Sequence, residues 1–305
     1  MGPHQHSGPV LITGASSGIG EDAALYLNEL GHTVFAGVRR AEDGERVRSK
    51  AARPGAFHAV LLDVTDDAQV ARAHEEVTRL LGPGQGLTAL VSNAGIAALS
   101  GDVSCEGCPI ETQQRVMDVN FFGAVRVVQA FLPLVRAARG TVVVNSALMA
   151  HTRLPFNGGY AASKCALEGW VDSLRREVAP LGVRVALIEA AGIHSDLEAK
   201  QDPSGIPADT PYRAQQPLIA MSAAMMRRRA GDPRLSPRRV SELMAAAIVD
   251  RRPRPRRIVG GGARPIWLLG CLPDRAQDAV FRAGLWTLAR RSPLPTPGDA
   301  GSTIG

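Results

Sequence analysis

The chain predicts an α/β fold: one domain with a doubly wound parallel sheet of about seven strands, flanked by helices and followed by a helical C-terminal extension. Three observations predict it. Short, fully apolar, β-rich runs recur along the chain, as strands buried on both faces require. Helical patterns alternate with them. A chain of 305 residues with 45% hydrophobic and 21% charged residues can bury one large core. The domain is expected to run from residue 1 to 291, with a Pro- and Gly-rich disordered tail from 292 to 305.

The first strand is Pro9-Val-Leu-Ile-Thr13, followed by Gly14-Ala-Ser-Ser-Gly18-Ile-Gly20 and a helical pattern through Leu30. Strand, glycine turn and helix is the context that a dinucleotide-binding loop requires. Gly14 permits the tight turn, Gly18 a close approach to a pyrophosphate, and Gly20 close packing of helix on strand. The free N–H groups of the helix start would face phosphate. A second strand, His32 to Val38, ends in Arg39-Arg40, where the adenosine ribose lies in a Rossmann unit. An acid there would bind a 2′-hydroxyl; two arginines suit a 2′-phosphate, which favours NADP(H) over NAD(H).

Ala56 to Leu62 reads as a third strand closing on Asp63-Val64, Asp67 to Leu81 as an amphipathic helix, and Leu87 to Val91 as a fourth strand running into Ser92-Asn93-Ala94-Gly95. Asp63, Asn93 and Gly95 fall at the carboxyl ends of strands, where such sheets bind ligands. Glu111 to Ala138 reads as one long helix with Asn120 inside it; flanked by Val119 and Phe121, that asparagine needs a buried partner. Gly140 to Ser146 is a fifth strand, and a helix to Ala179 precedes a sixth from Val183 to Glu189. Beyond Asp196 come a proline-rich loop from Pro203 to Pro217, a Met-rich helical stretch from Ala214 to Arg229, and a helix opened by Ser236 as N-cap with Pro237 behind it. Ile258-Val259 is a short seventh strand, and Trp267 to Arg291 is a last apolar region.

The chemistry concentrates in Tyr160-Ala-Ala-Ser-Lys164. On a helix, Tyr160 and Lys164 stand one turn apart on one face. A phenol titrates near about 10, and a neighbouring ammonium favours the phenolate, which is the tuning that a proton-transferring tyrosine needs.

Charge and cysteines bound the alternatives. The net charge is +6, yet twelve arginines face three acids between Arg227 and Arg264, a local +9. With 4% aromatics and one basic segment, no nucleic-acid partner is expected. Arg251, Arg252, Arg254, Arg256 and Arg257 are expected to form a solvated approach to the last strand; contact with a membrane surface is the disfavoured alternative. Four scattered cysteines, Cys105-Glu-Gly-Cys108 among them, lack a second ligand pair, so reduced thiols and no metal are expected. No run is expected to span a bilayer, apolar strand sequence from Val10 leaves no room for a signal peptide, and a cytoplasmic protein is expected.

Thr13-Gly-Ala-Ser-Ser-Gly-Ile-Gly20, Asp63-Val64, Asn93-Ala-Gly95, Asn120 and Tyr160-x-x-x-Lys164 together resemble the classical short-chain dehydrogenase/reductase family, strongly over residues 8 to 196. Leu154-Pro-Phe-Asn157, Tyr160 to Gly169 and Ile188-Glu189 through His194-Ser195 look like its estradiol 17β-dehydrogenase and retinol dehydrogenase branch. The resemblance implies a Rossmann-type domain in which Tyr160 is the general acid or base, Lys164 holds the nicotinamide ribose, and Asn120 anchors a water beside Lys164. It implies a cofactor site of Gly14, Ser16, Ser17, Gly18, Ile19, Gly20, Arg39, Arg40, Asp63, Val64, Asn93, Ala94, Gly95, Tyr160, Lys164, Ile193 and Ser195. A homodimer or homotetramer is expected, and the C-terminal extension would lie on the substrate side.

One departure bears on catalysis. The family serine that binds the substrate carbonyl lies thirteen residues before the tyrosine, and here that position is Ala147, with Ser146 beside it. Ser146 is the candidate replacement, although adjacent strand residues point to opposite faces. Ala190-Ala191-Gly192 also replaces the Pro-Gly that most of the family carries. The expected function is NADP-dependent hydride transfer between a nicotinamide and a carbonyl or secondary alcohol of an apolar steroid-, retinoid- or polyketide-like substrate. The alternative is a cofactor-binding protein with weak or no turnover, because of Ala147.

Overall fold

The computed structural model describes residues 7–97, 104–193, 210–212 and 232–291. The strands are β1 (Pro9–Thr13), β2 (Thr33–Val38), β3 (Phe57–Leu61), β4 (Ala89–Ser92), β5 (Thr141–Ala147), β6 (Arg184–Ala191) and β7 (Arg256–Gly260). They form one seven-stranded sheet in the order β3-β2-β1-β4-β5-β6-β7. Every pairing is parallel. The order reverses between β1 and β4, which opens a crevice at their carboxyl ends.

Alternation along the strands sorts the core into two layers. Val10, Ile12, Val143, Ala186 and Ile188 face α1 (Gly18–Glu29), and so does the helix from Pro237 to Val249 that packs beside it. On the other face, Leu11, Leu90, Val142, Val144 and Leu187 meet α3 (Asp67–Leu81), α5 (Gly123–Ala137) and α7 (Gly158–Val178). The remaining helices are α2 (Ala41–Arg48), α4 (Ile110–Met117), α6 (Met149–Thr152), α8 (the Pro237–Val249 helix), α9 (Ala263–Gly270) and α10 (Asp274–Arg291).

Several elements differ from the sequence reading in ways with physical causes. The long helix expected from Glu111 to Ala138 is α4 and α5 joined by a wider π-helical turn, Asp118–Phe122. Such turns insert one extra residue and re-aim a side chain; here Asn120 lies inside it and is buried. The combined run Ile110–Ala137 is long and apolar enough by composition to cross a bilayer, contrary to expectation. In this fold its apolar face, Val127, Val128, Phe131 and Val135, packs into the core.

Ser236 is the N-cap of α8 as expected, but its hydroxyl donates to the Pro233 carbonyl at 2.9 Å instead of accepting from the helix. The β5 strand runs one residue further than expected and includes Ala147. The 203–217 loop, except for residues 210–212, the Met-rich stretch and the tail from 292 lie outside the described residues.

Candidate functional site

The expected nucleotide half of the site is built from the ends of β1 and β4. Gly14 has φ +66° and lies against Ala94, whose Cα would stand 2.9 Å from a Cβ there. At Gly20 an added Cβ would meet the Gly14 carbonyl oxygen. Only glycine admits that contact, so the turn folds closely onto the start of α1. Thr13 Oγ1 accepts from the backbone N–H of both Asn93 and Ala94 at 3.0 Å. Asn93 Nδ2 donates back to the Thr13 carbonyl at 3.1 Å. These bonds lock the loops after β1 and β4 together.

The other expected cofactor positions that the structure describes are placed as follows. Ser16, Ser17 and Ile19 line the turn and are half-buried, and Arg46 from α2 donates to the Ser16 carbonyl. Arg39 and Arg40 are exposed at the end of β2. Arg40 pairs with Asp43 at 2.8 Å, whereas Arg39 makes no ion pair among the described residues. Asp63 Oδ1 accepts from the Thr65 amide at 2.9 Å and the Thr65 hydroxyl at 2.7 Å, so it shapes its own turn. Val64 is buried behind it against Gly123. Ile193 is buried, and Ser195 lies outside the described residues.

The residues expected to react are carried by α7. Lys164, Leu167, Glu168, Val171 and Leu174 fall on its inward stripe at helical spacing and are all buried. Lys164 therefore stands on the core-facing side, 4% exposed, and its Nζ donates to the Asn145 carbonyl at 3.2 Å. The same Nζ lies 5.7 Å from the ring centroid of half-buried Tyr160. Burial lowers the Lys164 amine from 10.5 to about 8, and the charge of Glu168 opposes the fall.

Asn120 finds the partners its position demanded. Its Oδ1 accepts from the Ile96 amide and its Nδ2 donates to the Ile96 carbonyl, both at 2.8 Å. The same Nδ2 donates to Ser163 Oγ at 2.9 Å. A Cβ at Gly95 would stand 3.3 Å from Asn120 Oδ1 and 3.7 Å from Lys164 Nζ, so the Asn93-Ala-Gly95 loop, Asn120 and Lys164 converge on one point.

Ser146 is a correction. Its Oγ donates to Glu168 Oε1 at 2.6 Å and is 3% exposed, beneath α7 and among the core side chains of that face. Strand alternation and the extra residue of β5 put Ala147 on the opposite face from Ser146. The hydroxyl that was the candidate replacement is thus committed elsewhere.

Sequence reading missed three residues. Asn145 accepts Lys164 through its carbonyl and donates from Nδ2 to Asn93 Oδ1 at 2.9 Å, joining the two halves. Ser163 bridges Asn120 to the Tyr160 carbonyl, to which it donates at 2.7 Å. Glu168 belongs to a charged cluster with Glu189, Asp172, His151 and Arg256. The spacing of Ser163 and Glu168 on the Tyr160 helix was the available signal for two of them.

Arg256 in that cluster corrects the reading of the basic segment as solvated. Arg251, Arg252 and Arg254 are exposed, but Arg256 is turned under α7, and Arg257 stands 3.8 Å from Asp250.

The sequence profile of short chain dehydrogenases matches residues 9–204. Retinol dehydrogenase 5 of Mus musculus is 34% identical over 305 residues, covering 92% of this chain and 89% of its own. Estradiol 17-beta-dehydrogenase 2 of Mus musculus is 36% identical over 195 residues, and there the match spans 50% of the relative's length. Among solved structures, a short-chain dehydrogenase from Streptomyces avermitilis superposes with a TM-score of 0.69 at 27% identity, covering 93% of this chain and 97% of that one. A short chain dehydrogenase/reductase from Burkholderia phymatum in complex with NAD has a TM-score of 0.71 at 20% identity over 90% of this chain and 95% of that one, a likeness of fold. With its seven-stranded sheet, its glycine turn and its helix-borne tyrosine and lysine, this chain belongs to the short-chain dehydrogenase family.

Proposed function

We propose that this short-chain dehydrogenase is an NADP(H)-using oxidoreductase acting on a carbonyl or secondary alcohol of an apolar substrate, with Tyr160 as general acid or base. The observation that carries the reading is the buried Lys164 amine, tied to the Asn145 carbonyl and set beside the Tyr160 ring. A buried lysine with so little charge compensation is costly to a fold and is found where its charge is used.

The residues fit a nicotinamide dinucleotide. Gly20 packs so closely on the Gly14 carbonyl that no side chain fits there, which holds the start of α1 against the turn, and that helix start has the N–H groups for a pyrophosphate. Exposed Arg39, unpaired among the described residues, supports a 2′-phosphate. A bound nicotinamide would supply the hydride acceptor or donor. This chain's residues do the rest. Lys164, lowered by burial from 10.5 to about 8, still carries its charge at neutral pH beside the Tyr160 ring, and a neighbouring ammonium favours the phenolate of a phenol that gives or takes a proton at the substrate oxygen. Asn120, held at three points, fixes the turn that Lys164 passes. With Ser146 committed to Glu168 and no hydroxyl at Ala147, Tyr160 is the side-chain donor left for that oxygen among the described residues.

Retinoid- or steroid-like substrates are supported by the retinol and estradiol dehydrogenases among the relatives. The test is a screen of purified protein for oxidation of NADPH and NADH against apolar ketones and aldehydes. Turnover of a retinoid or steroid carbonyl with NADPH is the expected result. Turnover of small polar carbonyls only, or a preference for NADH, would contradict the assignment.

A further inference from the structure

Behind the Tyr160–Lys164 pair lies a charged cluster that the reading above does not use. Glu168, one turn beyond Lys164 on α7, and Glu189, near the end of β6, are 6% and 0% exposed. Both converge on one guanidinium. Arg256 Nη1, from β7, donates to Glu168 Oε2 and, at 2.8 Å, to Glu189 Oε1; its Nη2 donates to Asp172 Oδ2 at 2.7 Å. Ser146 holds the other oxygen of Glu168 at 2.6 Å. His151 Nε2, on α6, stands 3.1 Å from Glu189 Oε2 and 3.8 Å from Glu168 Oε2.

Two carboxylates this deep do not both remain ionised without a cation between them. The planar fork of arginine reaches three acids on two elements at once, which the point charge of lysine does not. The carboxylates of Glu189, Glu168 and Asp172 hold the guanidinium charged against its burial. For Glu168, burial and the Glu189 charge push the carboxyl up, while Ser146 and Arg256 pull it back. The cluster therefore ties α7 to β5, β6 and β7 immediately after the turn that carries Lys164.

We propose that Arg256 and Glu168 are positioning residues for the reaction: by clamping α7 to the end of β6 and the start of β7 they set the place of Lys164 and Tyr160 in the site. The inference rests on the reading of Tyr160 and Lys164 given above. Glu168 has a second effect, since its negative charge is the one that favours the Lys164 ammonium. The other charged or titratable groups around Glu168 are Asp172 and Cys165 on α7, His151 on α6, Glu189 on β6 and Arg256 on β7, with Arg175 on the far side of Asp172 and Arg153 beside Cys165. Among the described residues, β5 and the π-helical turn bring only neutral groups to α7 here, namely Ser146, the Asn145 carbonyl and Asn120.

The experiment compares Arg256→Lys, Glu168→Gln and Tyr160→Phe with the unmutated enzyme, reading kcat, KM, its pH profile, and nucleotide binding by fluorescence. Arg256→Lys keeps the charge and loses the fork, so kcat should fall roughly ten- to a hundredfold, as small misplacements of reacting groups do, with nucleotide affinity unchanged. Glu168→Gln keeps the shape and the Ser146 contact but loses the charge, so the alkaline limb of kcat should move to lower pH. A merely structural role would move neither the profile nor kcat separately from KM. If Arg256→Lys fails to fold, Glu168→Gln decides alone. An inactive Tyr160→Phe beside a Glu168→Gln enzyme with unchanged kcat and pH profile overturns this inference only; an active Tyr160→Phe overturns it together with the reading beneath it.

Discussion

Replacing Lys164 by methionine should separate what the site costs from what it does. The amine titrates at about 8 in the fold and at 10.5 in water, because burial disfavours its charged form. At about 1.4 kcal/mol for each pKa unit, the charged amine costs the fold about 3 kcal/mol. The folded value is the lower one, so the unfolded chain binds more protons between the two. The cost is thus fully present below pH 8, lifts as pH rises from 8 to 10.5, and is gone above that. Methionine fills similar space without charge, but leaves the Asn145 carbonyl without its donor, a loss of about 1 to 3 kcal/mol. At pH 7 the variant should then be equal to the parent or up to about 2 kcal/mol more stable. By pH 10 most of the 3 kcal/mol swing, about 2 kcal/mol or more in the parent's favour, should have appeared. Urea unfolding of both proteins at pH 7 and pH 10 measures it, and activity assays should find the variant inactive. A stability difference that is the same at both pH values would refute the reasoning.

Three more predictions concern single positions. Ser146→Ala should not bring the loss of about 10² to 10³ in turnover expected for an oxyanion donor, and Ala147→Ser should raise kcat; kinetics showing the reverse would restore Ser146 to the site. Arg39→Asp should invert the preference between NADPH and NADH, and equal affinities in the unmutated protein, read by fluorescence titration, would remove the 2′-phosphate assignment. Gly20→Ala forces a Cβ onto the Gly14 carbonyl, so nucleotide affinity should fall at least roughly tenfold, about 1.4 kcal/mol; unchanged binding would mean that the turn does not hold the nucleotide.

What was legible in the sequence was whatever one segment carries by itself. Pro9–Thr13 and Asp67–Leu81 announce themselves by apolar pattern. Asn120, a polar residue inside an apolar helix, announced a partner without naming it. The side-chain face of Ser146 was not legible, because it depends on where β5 ends and on its register with Glu189 across β6. Asn145 was hidden for a different reason: the group that meets Lys164 is a backbone carbonyl, which every residue type carries. Arg256 read as one more solvated arginine, since the acids it meets lie 67 to 88 residues away and are brought to it only by the β6–β7 pairing.

The central claim is that Tyr160 moves the proton. It is tested most directly by measuring steady-state turnover of Tyr160→Phe with a ketone that the unmutated enzyme reduces, alongside nucleotide binding to the same preparation. The phenylalanine ring keeps the packing and deletes the one group that Lys164 is placed to tune, so binding should be retained and turnover should vanish. A Tyr160→Phe protein that binds nucleotide and keeps most of its turnover would contradict the account.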